Sequence, residues 1–150
     1  MNKKNSTLAL SSFLFLTACA GQAPHDLGVV NGFELRPCPD KPNCVQTYTP
    51  TDESHFKQPL IARKSNEETK QAISSAIVKT GGQIISEKLL APNAIYLHAE
   101  YESDWFKFID DVEVLIKDGT INIRSASRLG YSDMGANASR FEKIKEVYGE

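Results

Sequence analysis

No apolar run in this 150-residue sequence is long enough to cross a bilayer, a crossing that takes about 20 residues in a helix. A permanent transmembrane segment is therefore not expected. Basic residues are also short. Lys and Arg number 17 against 19 Asp and Glu, a net charge of −2, which argues against general nucleic-acid binding, since that rests on a basic surplus. Cysteine occurs three times, with neither a Cys-x-x-Cys spacing nor a second pair, so a zinc ribbon or thioredoxin-like couple is not expected. No Gly-x-Ser-x-Gly elbow surrounds Ser125 or Ser127, and Gly130 and Gly135 match neither a Walker loop nor a dinucleotide fingerprint. No cofactor is expected.

The amino terminus is informative by contrast. Lys3 and Lys4 precede an apolar stretch, Leu8 to Leu16, that ends in Leu16-Thr17-Ala18-Cys19. A basic start, a short apolar core and small residues before a cleavage point make a secretory signal. The ending resembles the lipobox of bacterial lipoproteins, which implies cleavage after residue 18 and acylation (palmitate among the chains) of Cys19. Ala20, not Asp, follows the cysteine, which implies the inner leaflet of the outer membrane, facing the periplasm. Two or more acyl chains anchor a protein stably. Cleavage removes two lysines and no acid, moving the net charge to −4. The expected organisation is a signal at 1–18, a lipidated tether at 19–32 and one domain at 33–150. In an oxidising compartment, Cys38 and Cys44, with Pro39, Pro42 and Asn43 between them, are expected to close a small disulfide loop. A metal pair is the competing use.

The expected fold class is α+β: a four-stranded, mainly antiparallel sheet with two helices packed on one face, preceded by an irregular, disulfide-pinned segment. Ser65 and Glu68 have capping-box spacing, Ala72, Ile73, Ala76 and Ile77 recur at helical intervals, and Gly81-Gly82 ends the helix. Strands are expected at Gln83–Leu89, Ile95–Tyr101, from near Phe106 to Ile116, and Thr120–Arg128. A second helix starts near Ala138, with Ser139 and Glu142 as its capping box and Phe141, Ile144 and Tyr148 as its apolar stripe. Asp118-Gly119 predicts a two-residue hairpin and sets a register. Ile116 meets Ile121, Val114 meets Ile123 and Val112 meets Ser125 on one buried face. Glu113 meets Arg124 on the other, an opposite-charge cross-strand pair of about 0.2–1 kcal/mol. Trp105, Phe106 and Phe108 are read as core, with an exposed aromatic patch for lipid or partner contact as the competing reading.

The chain also resembles the DUF1499 family of small bacterial and plastid-related domains. The carrying residues are Cys38-Pro39, Pro42-Asn43-Cys44-Val45, Tyr96-Leu97-His98-Ala99-Glu100, Phe108-Ile109-Asp110-Asp111-Val112-Glu113, and Arg124 through Asp133. The match runs from about Leu35 to Tyr148 and departs from the family pattern at Gln46-Thr47 and Ala138-Ser139. The resemblance implies one domain and no particular chemistry.

Two functional readings follow. In the first, the protein is a non-enzymatic binding or envelope-assembly accessory module. Arg128, Arg140, Ser125, Ser127 and Asp133 would hold an anionic small molecule near the glycine-bearing loop, or the module would meet an envelope protein. In the second it is an envelope hydrolase using Asp110, Ser127 and His98. His98 and Glu100 share a strand face, but two ligands without a third do not make a metal site, and none is expected.

Overall fold

The computed structural model describes residues 22–48, 53–90 and 93–150. The residues read as a signal and lipobox, Cys19 among them, lie outside these residues. Eight strands and two α-helices follow in order: β1 (Val29–Val30), β2 (Glu34–Leu35), β3 (Cys44–Gln46), β4 (Leu60–Ile61), α1 (Asn66–Lys79), β5 (Gln83–Leu90), β6 (Ala94–Glu102), β7 (Ile109–Lys117), β8 (Thr120–Ser127) and α2 (Ala136–Tyr148). A single 3-10 turn, Glu53–His55, lies between β3 and β4.

The main sheet has six strands, in the order β3-β8-β7-β6-β5, with β4 pairing β8 as well; β1 and β2 form a separate two-stranded sheet. The expectation of four strands is thus corrected. The α+β class, the two helices and the β5-to-β8 antiparallel meander stand, but the segment read as irregular adds two strands to the sheet. They span three and two residues, too few for alternation to be visible in sequence. They become strands because the free edge of β8 offers unpaired N–H and C=O groups, which buried backbone cannot leave unmet. Cys38 and Cys44 form the expected disulfide, with Cα atoms 5.7 Å apart. The Cys38 N–H then donates to Gln46 Oε1 (2.7 Å), fastening the loop to β3.

The hairpin register is the one the Asp118-Gly119 turn dictates: Lys117↔Thr120, Ile116↔Ile121, Val114↔Ile123, Glu113↔Arg124 and Asp110↔Ser127. One sheet face carries Leu97, Ala99, Val112, Val114, Ile116, Ile121 and Ile123. It packs against Ile73 and Ile77 of α1 and Phe141, Ile144 and Tyr148 of α2. Helix α1 begins as its sequence directs, Ser65 Oγ accepting from the Glu68 N–H (3.1 Å). Helix α2 begins two residues earlier than Ala138, with Gly135 as N-cap and no side-chain cap from that residue. Asp133 takes the capping work instead, its carboxylate accepting from the Gly135 and Asn137 N–H groups at 2.9 Å each. Ser139 is interior to the first turn.

The second face is not open to water. Leu35, with Val29 packed beside it, covers Tyr96, Ala94 and Leu115, and the chain from Asp26 to Gly28 runs over Arg124 and Glu113. The stretch read as tether therefore lies against the sheet from Pro24 onward. Both faces of the central strands are buried, so β7 is apolar or charge-paired along nearly its whole length. Trp105, Phe106 and Phe108 are exposed, correcting their reading as core. Strand β7 starts only at Ile109, leaving all three in the β6–β7 loop.

Candidate functional site

Alternation along β6, β7 and β8 sends two sets of polar side chains to opposite faces of the same sheet end. On the face covered by the amino-terminal arm, Tyr96 and His98 of β6, Asp111 and Glu113 of β7, and Arg124 of β8 are buried. Arg124 Nη1 donates to Glu113 Oε2 at 2.8 Å and Nη2 to Asp26 Oδ2 at 3.3 Å. The other Glu113 oxygen accepts from Tyr96 Oη (2.8 Å) and the Gly28 N–H (2.6 Å). Burial, with the neighbouring Glu113 carboxylate, drives the Tyr96 phenol far above its ordinary value, so it serves as a donor.

One step along the strands, Arg128 Nε and Nη2 donate to the two Asp111 oxygens at 2.8 and 2.7 Å. This bidentate geometry suits a guanidinium and a carboxylate. Arg128 also pairs with Glu100, and His98 Nε2 lies 2.7 Å from Asp111 Oδ1. Burial alone would push the Asp111 carboxyl up. The hydrogen bonds from Arg128 and His98 outweigh it and hold that carboxyl below its usual value. The Asp111 hydrogen bond is the main cause that raises Arg128 in turn.

A pH prediction follows from the Asp111 shift. Its folded value lies below the unfolded one, about 3.9. The stability it contributes is complete above the unfolded value and lost as pH falls through the folded one. Asp133, where the Asn137 and Gly135 N–H groups overcome the upward push of burial, has the same sign. Thermal stability is expected to be flat with respect to these groups above about pH 5 and to decline below about pH 4. Asp111→Asn should lower the neutral-pH melting temperature and flatten that acid decline. An unaltered slope in the variant would show that Asp111 does not carry it.

His98, Glu100 and Asp111 each offer a ligand atom within 4.8 Å of the others. The third partner missing from the sequence reading is thus Asp111. A cation there would compete with the Arg128 guanidinium, which already donates to both carboxylates. The donor set suits a fixed internal cation better than a metal ion.

On the helix-covered face, Arg140 Nη2 donates to Asp110 Oδ2 (2.6 Å), and Nη1 reaches Asn137 Oδ1 (2.6 Å) and Ser125 Oγ (3.1 Å). Its guanidinium also stacks 4.6 Å from the Tyr101 ring centroid. Asn137 is the hub: its Oδ1 accepts from Ser125 Oγ (2.6 Å), and its amide donates to Asn43 O (3.0 Å), Ser127 Oγ (2.9 Å) and Asp133 Oδ2 (2.7 Å). The network ties α2, its preceding loop, β3 and β8 together.

The sequence-derived residues are therefore divided by the sheet. Ser125, Ser127, Asp110, Asp133 and Arg140 meet on the helix face, while His98 and Arg128 lie on the arm face with Asp111. The strand pairing His98↔Glu113 and Asp110↔Ser127 fixes this division. A Ser127–His98–Asp110 relay does not assemble, and Arg128 and Arg140 stand on opposite faces of the sheet. Sequence reasoning left Asp111, Asn43 and Asn137 out of its candidate site residues, and took Glu113–Arg124 as a cross-strand pair on the face opposite the apolar one. The available signal was that His98, Glu113 and Arg124 fall in register across three adjacent strands.

A cleft of about 160 Å³ opens beside the arm-face charges, lined by Pro24, Asp26, Lys41, Asn43, Arg124 and Arg128 among others. Two buried side-chain atoms of these residues, Asn43 Oδ1 and Arg124 Nε, have no hydrogen-bond partner among the described residues. Native proteins seldom leave such atoms unmet.

These features define an α+β domain with helices on one sheet face and an arm-covered layer of paired charges on the other. The chain belongs to the DUF1499 family, described as a protein of unknown function, whose family model matches residues 34–147. No curated protein and no solved structure matches it.

Proposed function

We propose that the protein is a lipid-anchored, non-enzymatic binding module of the cell envelope, held by acylated Cys19 at the inner leaflet of the outer membrane and facing the periplasm. The Leu16-to-Cys19 sequence after a basic and apolar leader supports the anchor. The Cys38–Cys44 disulfide accords with an oxidising compartment. The binding role rests on one observation: a small cleft where Asp26 and Asp111 meet Arg124 and Arg128, with the unmet Asn43 Oδ1 and Arg124 Nε buried in its walls. One is an acceptor and the other a donor, and the cleft carries charges of both signs. A bare anion would meet Asp26 and Asp111 as well as Arg124 and Arg128. The fitting ligand is a small group with adjacent donor and acceptor, such as a carboxamide or a peptide link. The hydrolase reading has no support in the arrangement of His98, Ser127 and Asp110.

The test is a titration of acetamide and, separately, acetate, followed by side-chain NMR signals. Acetamide is expected to shift both the Asn43 amide and the Arg124 Nε–H. Signals left in place by acetamide would remove the cleft as a carboxamide site, and a shift with acetate alone would make its ligand a bare anion. Cys19 acylation is checked independently by the mass of the membrane-extracted protein, with Cys19→Ala as the control that should lose the lipid.

A further inference from the structure

The end of the sheet that bears both polar layers also carries an apolar crown that the binding reading does not use. Two loops form it, residues 103–108 between β6 and β7 and residues 128–135 between β8 and α2. The first displays Trp105 at 91% exposure and Phe106 at 74%; the second displays Tyr131 at 70% and Met134 at 100%. Phe108 and Leu129 are half-exposed beneath them. The loops adjoin. Phe106, Phe108 and Leu129 line one groove of about 270 Å³, and the Phe106 and Phe108 rings stack at 5.4 Å. Each loop also holds a non-glycine residue in the left-handed region, Lys107 at φ 56° and Met134 at φ 54°, a conformation costing about 1–2 kcal/mol. At Met134 that cost turns an apolar side chain fully into water, where folding gains nothing from it.

We propose that this crown inserts into the lipid interface, so that the protein lies on its membrane through two loops as well as its anchor. The inference rests on the Cys19 anchor of the proposed function, and the chain's course supplies the argument for lipid as the occupant. Pro24 lines the same cleft as Arg128 and Gly130, which lie at the root of the second loop. The first described residues therefore lie at the crown's end of the sheet. Five residue steps separate Cys19 from Pro24, a reach of at most about 18 Å fully extended. An acylated Cys19 would hold Pro24, beside the root of the second loop, within that distance of the bilayer. The side chains also suit it, since Trp and Tyr favour the membrane–water boundary and Phe, Leu and Met its apolar side. Charge around the crown is low. Lys107 Nζ pairs with Glu102 at 2.9 Å, and Asp104 stands beside them, so docking depends on apolar burial rather than on anionic lipid.

Trp105 is the only tryptophan in the chain and reports directly on this. The full-length protein, as recovered from membranes, is mixed with phosphatidylcholine–phosphatidylethanolamine vesicles containing brominated acyl chains. Trp105 emission is expected to shift to the blue and to be quenched, with little change on adding salt. Phe106→Ser combined with Met134→Ser, both at exposed positions, should weaken docking by about tenfold while leaving the melting temperature unchanged. Quenching that survives this double change overturns the proposal. So does an unquenched Trp105, and so does a Trp105 buried only by self-association at high protein concentration. The mass of Cys19 is read separately. A missing acyl group overturns the anchor alone, and the quenching result decides the crown whichever mass is found.

Discussion

Replacing Arg124 with Ala is expected to cost roughly 3–5 kcal/mol, the usual penalty for breaking a buried ion pair from one side. For a domain of this size that is a melting-temperature drop of about 10 °C or more. The reason lies in what remains. Glu113 is fully buried, and without Arg124 its carboxylate keeps only the Tyr96 hydroxyl and the Gly28 N–H. An uncompensated charge under the amino-terminal arm then accounts for most of the loss. The arm also loses the Asp26 contact to Arg124. Removing both partners, as Arg124→Met with Glu113→Leu, takes the charge away with its counter-charge and should recover most of the loss. Urea melts of the two singles and the double give the coupling directly. Strictly additive losses would mean that the pair contributes little as a pair.

Asn137→Ala is the second large effect, about 3 kcal/mol, because each buried group left unmet costs on the order of 1–3 kcal/mol. The change strands the Ser125 hydroxyl proton, leaves Arg140 Nη1 only Ser125 Oγ, and leaves the Asn43 carbonyl only the Ser127 N–H. Asn137→Asp separates the donor role from the acceptor role. It keeps an oxygen for Ser125 and Arg140 but sets a second carboxylate against Asp133, so it should also be destabilising. Ser139→Ala is the contrasting change. Ser139 is exposed within the helix, so thermal denaturation should find it neutral. A loss at Ser139 comparable to that at Asn137 would return the cap to Ser139 and unseat Asp133.

How much of this was legible depended on how local the cause is. The Asp118-Gly119 turn and the period-2 apolar positions of β7 and β8 fixed the register to the residue. The Ser65 cap and Gly81-Gly82 bounded α1 for the same reason. Strands β3 and β4 escaped because their partner, the edge of β8, is some 60 to 80 residues away in sequence, and two or three residues carry no period. The site was legible as residue types but not as a grouping. Asp110 and Asp111 adjoin in sequence and face opposite ways, so neighbours along the chain belong to different networks. Burial of Glu113 and Arg124 depends on an arm that reads as a spacer because it has few large apolar residues. What covers them is backbone and one aspartate, not a hydrophobic segment.

The two borders of the main sheet are treated differently, and this bears on how the protein behaves when crowded against its own copies. Along one border the long strand β8 is blocked by two short strands, leaving little continuous backbone for another chain to copy. The opposite border is β5, eight residues long with Ile85 and Leu89 exposed, the composition that invites strand-to-strand stacking between molecules. Its pairing to β6 is broken by a bulge between Ile84 and Ser86, and Glu87 and Lys88 are exposed on it. Kinked and charged in mid-course, β5 is a poor template for another chain. At high local density, this irregularity in one strand keeps copies of the protein apart.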